Sequence, residues 1–316
     1  MPQTIYDAPQ RALSFMVQQA TLIEAQVYEV RYQDIQYPQL LPVDTSAPEW
    51  IQSVTYFSSD AVGAAQWFSG KAMDVPHVDL LREKFESTVH MAAIGYQYDL
   101  EELGKAMLLG LNLNADKGTA ARRVSEEFIE KVAMVGDTSK GMTGLVNNAG
   151  VTATTAPADG SGSATTFASK TPDQVLRDVN GVLTGIYTGT LGAEISDTVL
   201  MPYAVLIDLG TRRIDAVNQT TILEWLQRNN VYTLTTGQPL MIRGVFGHLD
   251  TAGSGDITRM VAYRRSPEVV KMHIPMPYRF LPVWQTGPAL FEVPGIFRLG
   301  GVDIRRTKAV RYLDGI

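Results

Sequence analysis

Apolar residues at Val175, Leu176, Val179, Val182, Leu183 and Ile186 recur at helical spacing and predict one amphipathic helix. Its start is written into Thr171-Pro172-Asp173-Gln174: a threonine N-cap, proline in the first turn, and glutamine placed for a reciprocal capping box. A second, longer helix-forming stretch runs from 100 to about 135. Asp99 is its N-cap, Glu102 takes the capping-box position, and Leu103, Met107, Val124, Phe128 and Val132 offer a buried stripe. Unbroken, it would reach ~54 Å at ~1.5 Å per residue, with Gly110 and Gly118 as the places for a bend. A short helix is expected over 221–227, with Leu223 and Trp225 facing different surroundings.

Elsewhere the pattern reads as strand. Phe85, Val89 and Met91 lead toward Tyr96-Gln97-Tyr98, and TVLMPYAVLIDL (198–209) is an apolar run suited to a buried strand. Residues 239–245, 258–264 and 275–281 are strand-like, and the tail from Phe291 alternates to Ile316. Residues 51–79 predict a long β-hairpin: Val54 and Tyr56 lead in, Ser-Ser-Asp-Ala-Val-Gly turns, and Trp67 and Phe68 return before Pro76. Its aromatics pack either on the chain's own sheet or on a neighbouring subunit. Residues 1–48, interrupted by Pro38, Pro42 and Pro48, suit an extended arm; the small polar stretch 151–170 suits a surface loop.

Composition narrows the function. The 316 residues are 45% hydrophobic with a net charge of −6, which argues against a dominant nucleic-acid surface. Cysteine is absent, so disulfides, thiolate metal sites and cysteine nucleophiles are excluded together. No apolar run approaches the ~20 residues of a membrane helix, and the start shows no secretory pattern. His77, His90, His248 and His273 stand alone, so no metal site is expected.

One fragment suggests an enzyme. LVNNAG, at 145–150, is a piece of short-chain dehydrogenases. A nicotinamide site also needs a glycine-rich turn behind a first strand, and the first 60 residues hold no glycine. No lysine has a tyrosine four positions before it, and no phosphate loop or nucleophile elbow occurs. Neither catalytic residues nor a cofactor is expected.

Four stretches carry a different likeness: DAVGAAQWFSGKAMDVPHVD, IGYQYDLEELGKAM, GDTSKGMTGLVNN and GPALFEVPGIFRLGGVDIRRTKAVRY. With these the chain resembles, over nearly its whole length, the tailed-phage major capsid proteins of the HK97-like fold, a group also similar to encapsulin shells. The resemblance implies an α+β fold with an N-terminal arm (1–48), an extended E-loop (49–80), a peripheral domain with a long spine helix (81–140), an α/β axial domain (141–274) and peripheral closing strands (275–316). The spine helix would occupy 99–136. Such proteins commonly leave it through Gly-Leu-x-Asn, here Gly144, Leu145, Val146 and Asn147, so NNAG would be a turn, with Gly144 letting the backbone reverse.

The implied function is self-assembly through hexamers and pentamers into an icosahedral shell around a phage genome, not catalysis. Tyr56, Trp67 and Phe68 would be E-loop anchors at subunit interfaces, because aromatics dominate interface energetics. Lys71 also lies in the E-loop; some relatives crosslink such a lysine, but the sequence identifies no partner for it. Scaffold, portal and decoration proteins are further implied partners, with packaged DNA held without specific recognition and no membrane involved. The expected location is the virion, after assembly in the bacterial host cytoplasm. An encapsulin-like compartment shell remains the alternative.

Overall fold

The computed structural model describes residues 35–65, 67, 77–102, 113–215 and 219–316, with side chains in the long helix described from residue 116. Most of the expected arm lies outside the described residues, as do Leu103, Met107 and Gly110.

A five-stranded mixed sheet is the centre of the fold. Its strand order is Met241–Val245, Thr198–Pro202, Arg259–Tyr263, Val310–Asp314 and Thr152–Thr155. The first and last pairs are parallel and the inner pairs antiparallel. Side chains alternate across a pleated strand, so a strand apolar on every residue needs cover on both faces. That is what the chain supplies. Val199, Met201, Met260, Ala262 and Leu313 face one buried cluster, built with the helix Pro172–Gly189. Leu200, Val261, Tyr263, Val310 and Tyr312 face the other, shared with the long helix Leu113–Met134 and the strands beyond it.

Local signals explain both main helices. Thr171 accepts from the Gln174 N–H and the Gln174 side chain accepts from the Thr171 N–H, completing the expected capping box. Val175, Val179, Val182, Leu183 and Ile186 are buried along the predicted face. Asp99 caps at Glu102 N as expected, 2.5 Å away. In the long helix the buried stripe is offset from the predicted one: Ala121, Ser125, Ile129 and Val132 are buried, while Val124 and Phe128 are exposed at its flank. Small residues allow close approach there, which apolarity alone does not reveal. Gly118 lies within the helix without ending it; a Cβ there would meet the Phe280 ring at 3.8 Å.

Three smaller sheets follow. Met276–Phe280, Gly295–Leu299 and His90–Ala93 form one; Trp284–Gly287, Leu290–Val293 and Tyr96–Asp99 form another. The third joins Val43–Asp44, Val270–His273 and Val302–Ile304. Just before it, Tyr37, Leu40 and Leu41 are buried in the second cluster.

Three expectations need correcting. The apolar run 198–209 is not one strand: after Pro202 it becomes the helix Tyr203–Thr211, with Pro202 at the N-cap position. Proline cannot donate into a ladder and often begins helices, and that outweighs continuous apolarity. The segment 151–170 is not all loop. Thr152–Thr155 is an edge strand held by the final strand, and Phe167 is fully buried. Nor does Ser58–Gly63 turn. Ser53–Val62 runs straight through it and pairs with Asp79–Thr88, from Ser53 opposite Thr88 to Val62 opposite Asp79.

Candidate functional site

The ten-residue strands Ser53–Val62 and Asp79–Thr88 pair only with each other among the described residues. Opposite residues share a face in an antiparallel ribbon, so Tyr56 faces with Phe85 and Leu81 with Asp60, while Phe57 faces with Lys84 and Leu80 with Ala61. Apolar side chains on both faces are open: Phe57 is 69% exposed, Leu81 57%, Leu80 56% and Val62 51%. Trp67, near the ribbon's end, is wholly exposed. Phe68 and Lys71 lie outside the described residues.

The ribbon is secured at its base. Tyr56 stacks on Phe85 at 5.1 Å, and the Arg305 guanidinium lies 4.8 Å from the Tyr56 ring centre. Burial raises the Tyr56 phenol pKa, and the Asp303 carboxylate beside it raises it further. Arg305 donates in turn to Asp303 at 3.2 Å. Ser87 Oγ donates to the Gly300 carbonyl at 2.7 Å. These groups line a cleft of 530 Å³ that also takes in Lys140, Met142 and Asn148. Tyr56 is therefore half-buried against its own chain, unlike Trp67.

Behind the ribbon lies the turn that contains NNAG. The long helix ends at Met134, and Gly136 adopts a left-handed φ of 76°. The chain then returns so closely that a Cβ on Gly144 would sit 2.1 Å from the Met134 carbonyl oxygen. Leu145 N donates to Ala133 O at 2.9 Å and Val146 N to Met134 O at 3.0 Å. Asn147 completes the junction: its Oδ1 accepts from Gly144 N at 2.8 Å and its Nδ2 donates to Val135 O at 2.6 Å. Both functions of the amide are spent on backbone, which explains an asparagine here without a cofactor. Leu145 is fully buried, and its carbonyl accepts from Tyr312 Oη at 2.6 Å.

The sequence reading missed the residues that hold this turn from the far side. Arg259 donates from Nε and Nη2 to Asp314, at 2.6 and 2.8 Å, and from Nη1 to the Val146 carbonyl at 2.6 Å. Its guanidinium also lies 4.4 Å from the Tyr312 ring centre. Burial pushes the Tyr312 phenol up to about 12. Arg259 and Asp314 sit on paired strands in direct register, but pairing across 55 residues has no local signature.

A ribbon bare on both faces, a long helix closed by a Gly-Leu-x-Asn junction and a mixed central sheet together describe a subunit shaped for association. A family model described as major capsid protein matches residues 63–316. The chain belongs to that family. Solved structures agree on the fold. The capsid of Myoviridae phage XM1 is similar with a TM-score of 0.79 and 18% identity, covering 95% of this chain and 98% of that one. The capsid of a native GTA particle gives 0.60 and 13%, covering 93% and 95%. Microbacterium phage Oxtober96 gives 0.60 and 11%, covering 96% and 97%. No curated protein matches the sequence. The HK97-like capsid fold expected from the resemblance is the fold of this major capsid protein, a structural, shell-forming protein, and the encapsulin alternative is not favoured.

Proposed function

We propose that this major capsid protein closes an icosahedral shell of hexamers and pentamers around a phage genome, and that the ribbon is its principal arm between subunits. The observation that carries this is the ribbon's isolation. A lone two-stranded ribbon is at best marginally stable in water, yet this one presents Phe57, Leu80, Leu81 and Val62 to solvent. Apolar patches left open in this way mark association surfaces. Cover from neighbouring copies would stabilise both the ribbon and the shell, and obligate interfaces bury on the order of 2,000–5,000 Å². Heterologous contacts that close around an axis generate rings, and many modest contacts accumulate into a durable particle.

In this reading residues 49–80 form the E-loop. Residues 81–140 and 275–316 make the peripheral domain, and 141–274 the axial domain. Trp67 and Phe68 are the interfacial anchors of the E-loop, and Tyr56 orients that loop from its base. Lys71 belongs to the same arm. Assembly takes place in the host cytoplasm with scaffold, portal and decoration proteins as partners, and the virion is the destination. DNA is enclosed without sequence recognition, consistent with a net charge of −6.

The test is to replace residues 59–82 by a two-glycine turn, which keeps the six base pairs of the ribbon from Ser53–Thr88 to Ser58–Glu83. Negative-stain microscopy of the wild type should show megadalton particles or capsomers. The shortened protein should stay folded by circular dichroism and yield no shells. Unchanged particles would remove the ribbon from the assembly mechanism, and a wild type that stays monomeric across salt and concentration would remove the shell.

A further inference from the structure

Away from the ribbon, the helix Pro172–Gly189 and the sheet edge enclose a second cleft of 320 Å³. Its walls include Thr154, Thr155, Arg177, Gly181 and Arg311. Arg311 stands on the strand Val310–Asp314, in register with Thr152 of the edge strand. Its guanidinium meets the helix at Gly185, where a Cβ would come within 1.7 Å of Nη1 and 2.5 Å of Cζ. Glycine there makes room for the charged group. One turn earlier, a Cβ on Gly181 would meet nothing within 4 Å, so the helix wall is open beside the guanidinium.

Among the described residues Arg311 has no hydrogen-bond or ion-pair partner, and its Nε is buried without one. The acids nearby are already engaged. Asp178 accepts from Lys170 at 2.5 Å and from Arg177 at 2.6 Å, and Asp159 pairs with Arg177 at 2.6 Å. Three cations, Lys170, Arg177 and Arg311, thus meet two carboxylates. The excess positive charge falls on the one group with a free donor face. A buried donor left without a partner, here Arg311 Nε, is costly, and the planar donor fork of a guanidinium matches a carboxylate or phosphate. The cleft is near the lower end of ligand-pocket sizes, roughly 300–1,000 Å³, with ample room for one oxyanion.

We propose that this cleft is an oxyanion-binding site with Arg311 as its principal ligand. Two sources share that chemistry: an acidic side chain of a neighbouring copy, and a free phosphate-class anion. The site is independent of the ribbon, so its failure leaves the shell reading untouched.

Inorganic phosphate is the probe, added to the unassembled full-length chain against sodium chloride of equal ionic strength. Phosphate should raise the thermal midpoint by several degrees and slow phenylglyoxal labelling of Arg311, read by peptide mass spectrometry. Arg311→Gln should abolish the thermal response. Gly181→Glu places a carboxylate in the open wall; it should raise the midpoint without phosphate and remove the response to it. Gly181→Gln, with the same helix-propensity gain, should keep that response.

An equal phosphate response in wild type and Arg311→Gln overturns the proposal, as does a wild type with neither response nor protection. If Arg311→Gln does not fold, the Gly181 pair decides: a full phosphate response in Gly181→Glu overturns it equally. Shells separate the two sources. Arg311 protected in shells without phosphate assigns the oxyanion to a neighbour's carboxylate, and labelling that persists until phosphate is added assigns it to the free anion.

Discussion

Replacing Gly144 with alanine places a methyl group where the end of the long helix already stands. The new carbon would lie 2.1 Å from the Met134 carbonyl oxygen, 2.3 Å from its carbon and 2.6 Å from Val135 N. Non-bonded contacts settle near ~3.5 Å, so the two backbones must part by more than about 1 Å. That movement breaks the bonds from Leu145 N to Ala133 O and from Val146 N to Met134 O, now 2.9 and 3.0 Å. It also pulls Gly144 N from Asn147. Each bond is worth ~1 kcal/mol net, and a buried donor left unpaired adds ~1–3 kcal/mol. Leu145 and Val146 are buried, so three lost bonds and one unpaired buried donor sum to about 4–6 kcal/mol, a large share of the ~5–15 kcal/mol that holds a domain together.

Gly141→Ala is the internal control. Gly141 has a left-handed φ of 68°, but a Cβ there meets nothing within 4 Å, so only the conformational cost of about 1–2 kcal/mol applies. Urea unfolding of both unassembled variants, followed by circular dichroism and tryptophan fluorescence, gives the comparison. Gly144→Ala should have a far lower midpoint, with the slope unchanged. If the two variants lose the same stability, or Gly144→Ala falls within about 1 kcal/mol of wild type, the close-approach argument is wrong.

Asn147→Ala deletes both backbone bonds of a solvent-accessible side chain and should cost about 1–2 kcal/mol, with faster amide hydrogen exchange at Gly144. Arg259→Met strands Asp314 and the Val146 carbonyl in the interior and should cost about 3–5 kcal/mol in urea; a smaller loss than that of Asn147→Ala would contradict the buried network. Asp44 carries a pH dependence. Burial alone would raise its carboxyl pKa, but hydrogen bonds from Lys271 and Ser46, then the Lys271 charge, outweigh that and hold it well below the usual range. A depressed folded value gives stability that is present above the unfolded value of ~4 and lost as pH falls toward the folded one. Asp44→Asn should therefore be less stable than wild type at pH 7, the gap closing in strong acid; a gap constant with pH would refute it.

Local chemistry made the helices and most strands legible. The Thr171 box, the Asp99 cap and the apolar face of residues 175–186 are decided within a few residues, and each appears where the pattern puts it. What escaped depends on partners far along the chain. Thr152–Thr155 reads as loop because its ladder partner among the described residues is the distant strand Val310–Asp314. Pro202 ends a strand inside an apolar run that shows no interruption of hydropathy. Val124 and Phe128 are apolar but flank the buried stripe, since the groove admits small Ala121 and Ser125. At the site, the Gly-Leu-x-Asn junction was recognisable through the family resemblance, while Arg259 and Asp314, which clamp it from the central sheet, were not.

The strand Val310–Asp314 lies inside the central sheet, between Arg259–Tyr263 and Thr152–Thr155. During translation the Thr152–Thr155 segment leaves the ribosome nearly half the chain before Val310–Asp314, its ladder partner among the described residues. Until then that sheet edge is unsealed, and Arg259 waits for Asp314 with the Val146 carbonyl half-clamped. A nascent polypeptide thus stays structurally incomplete through most of its synthesis.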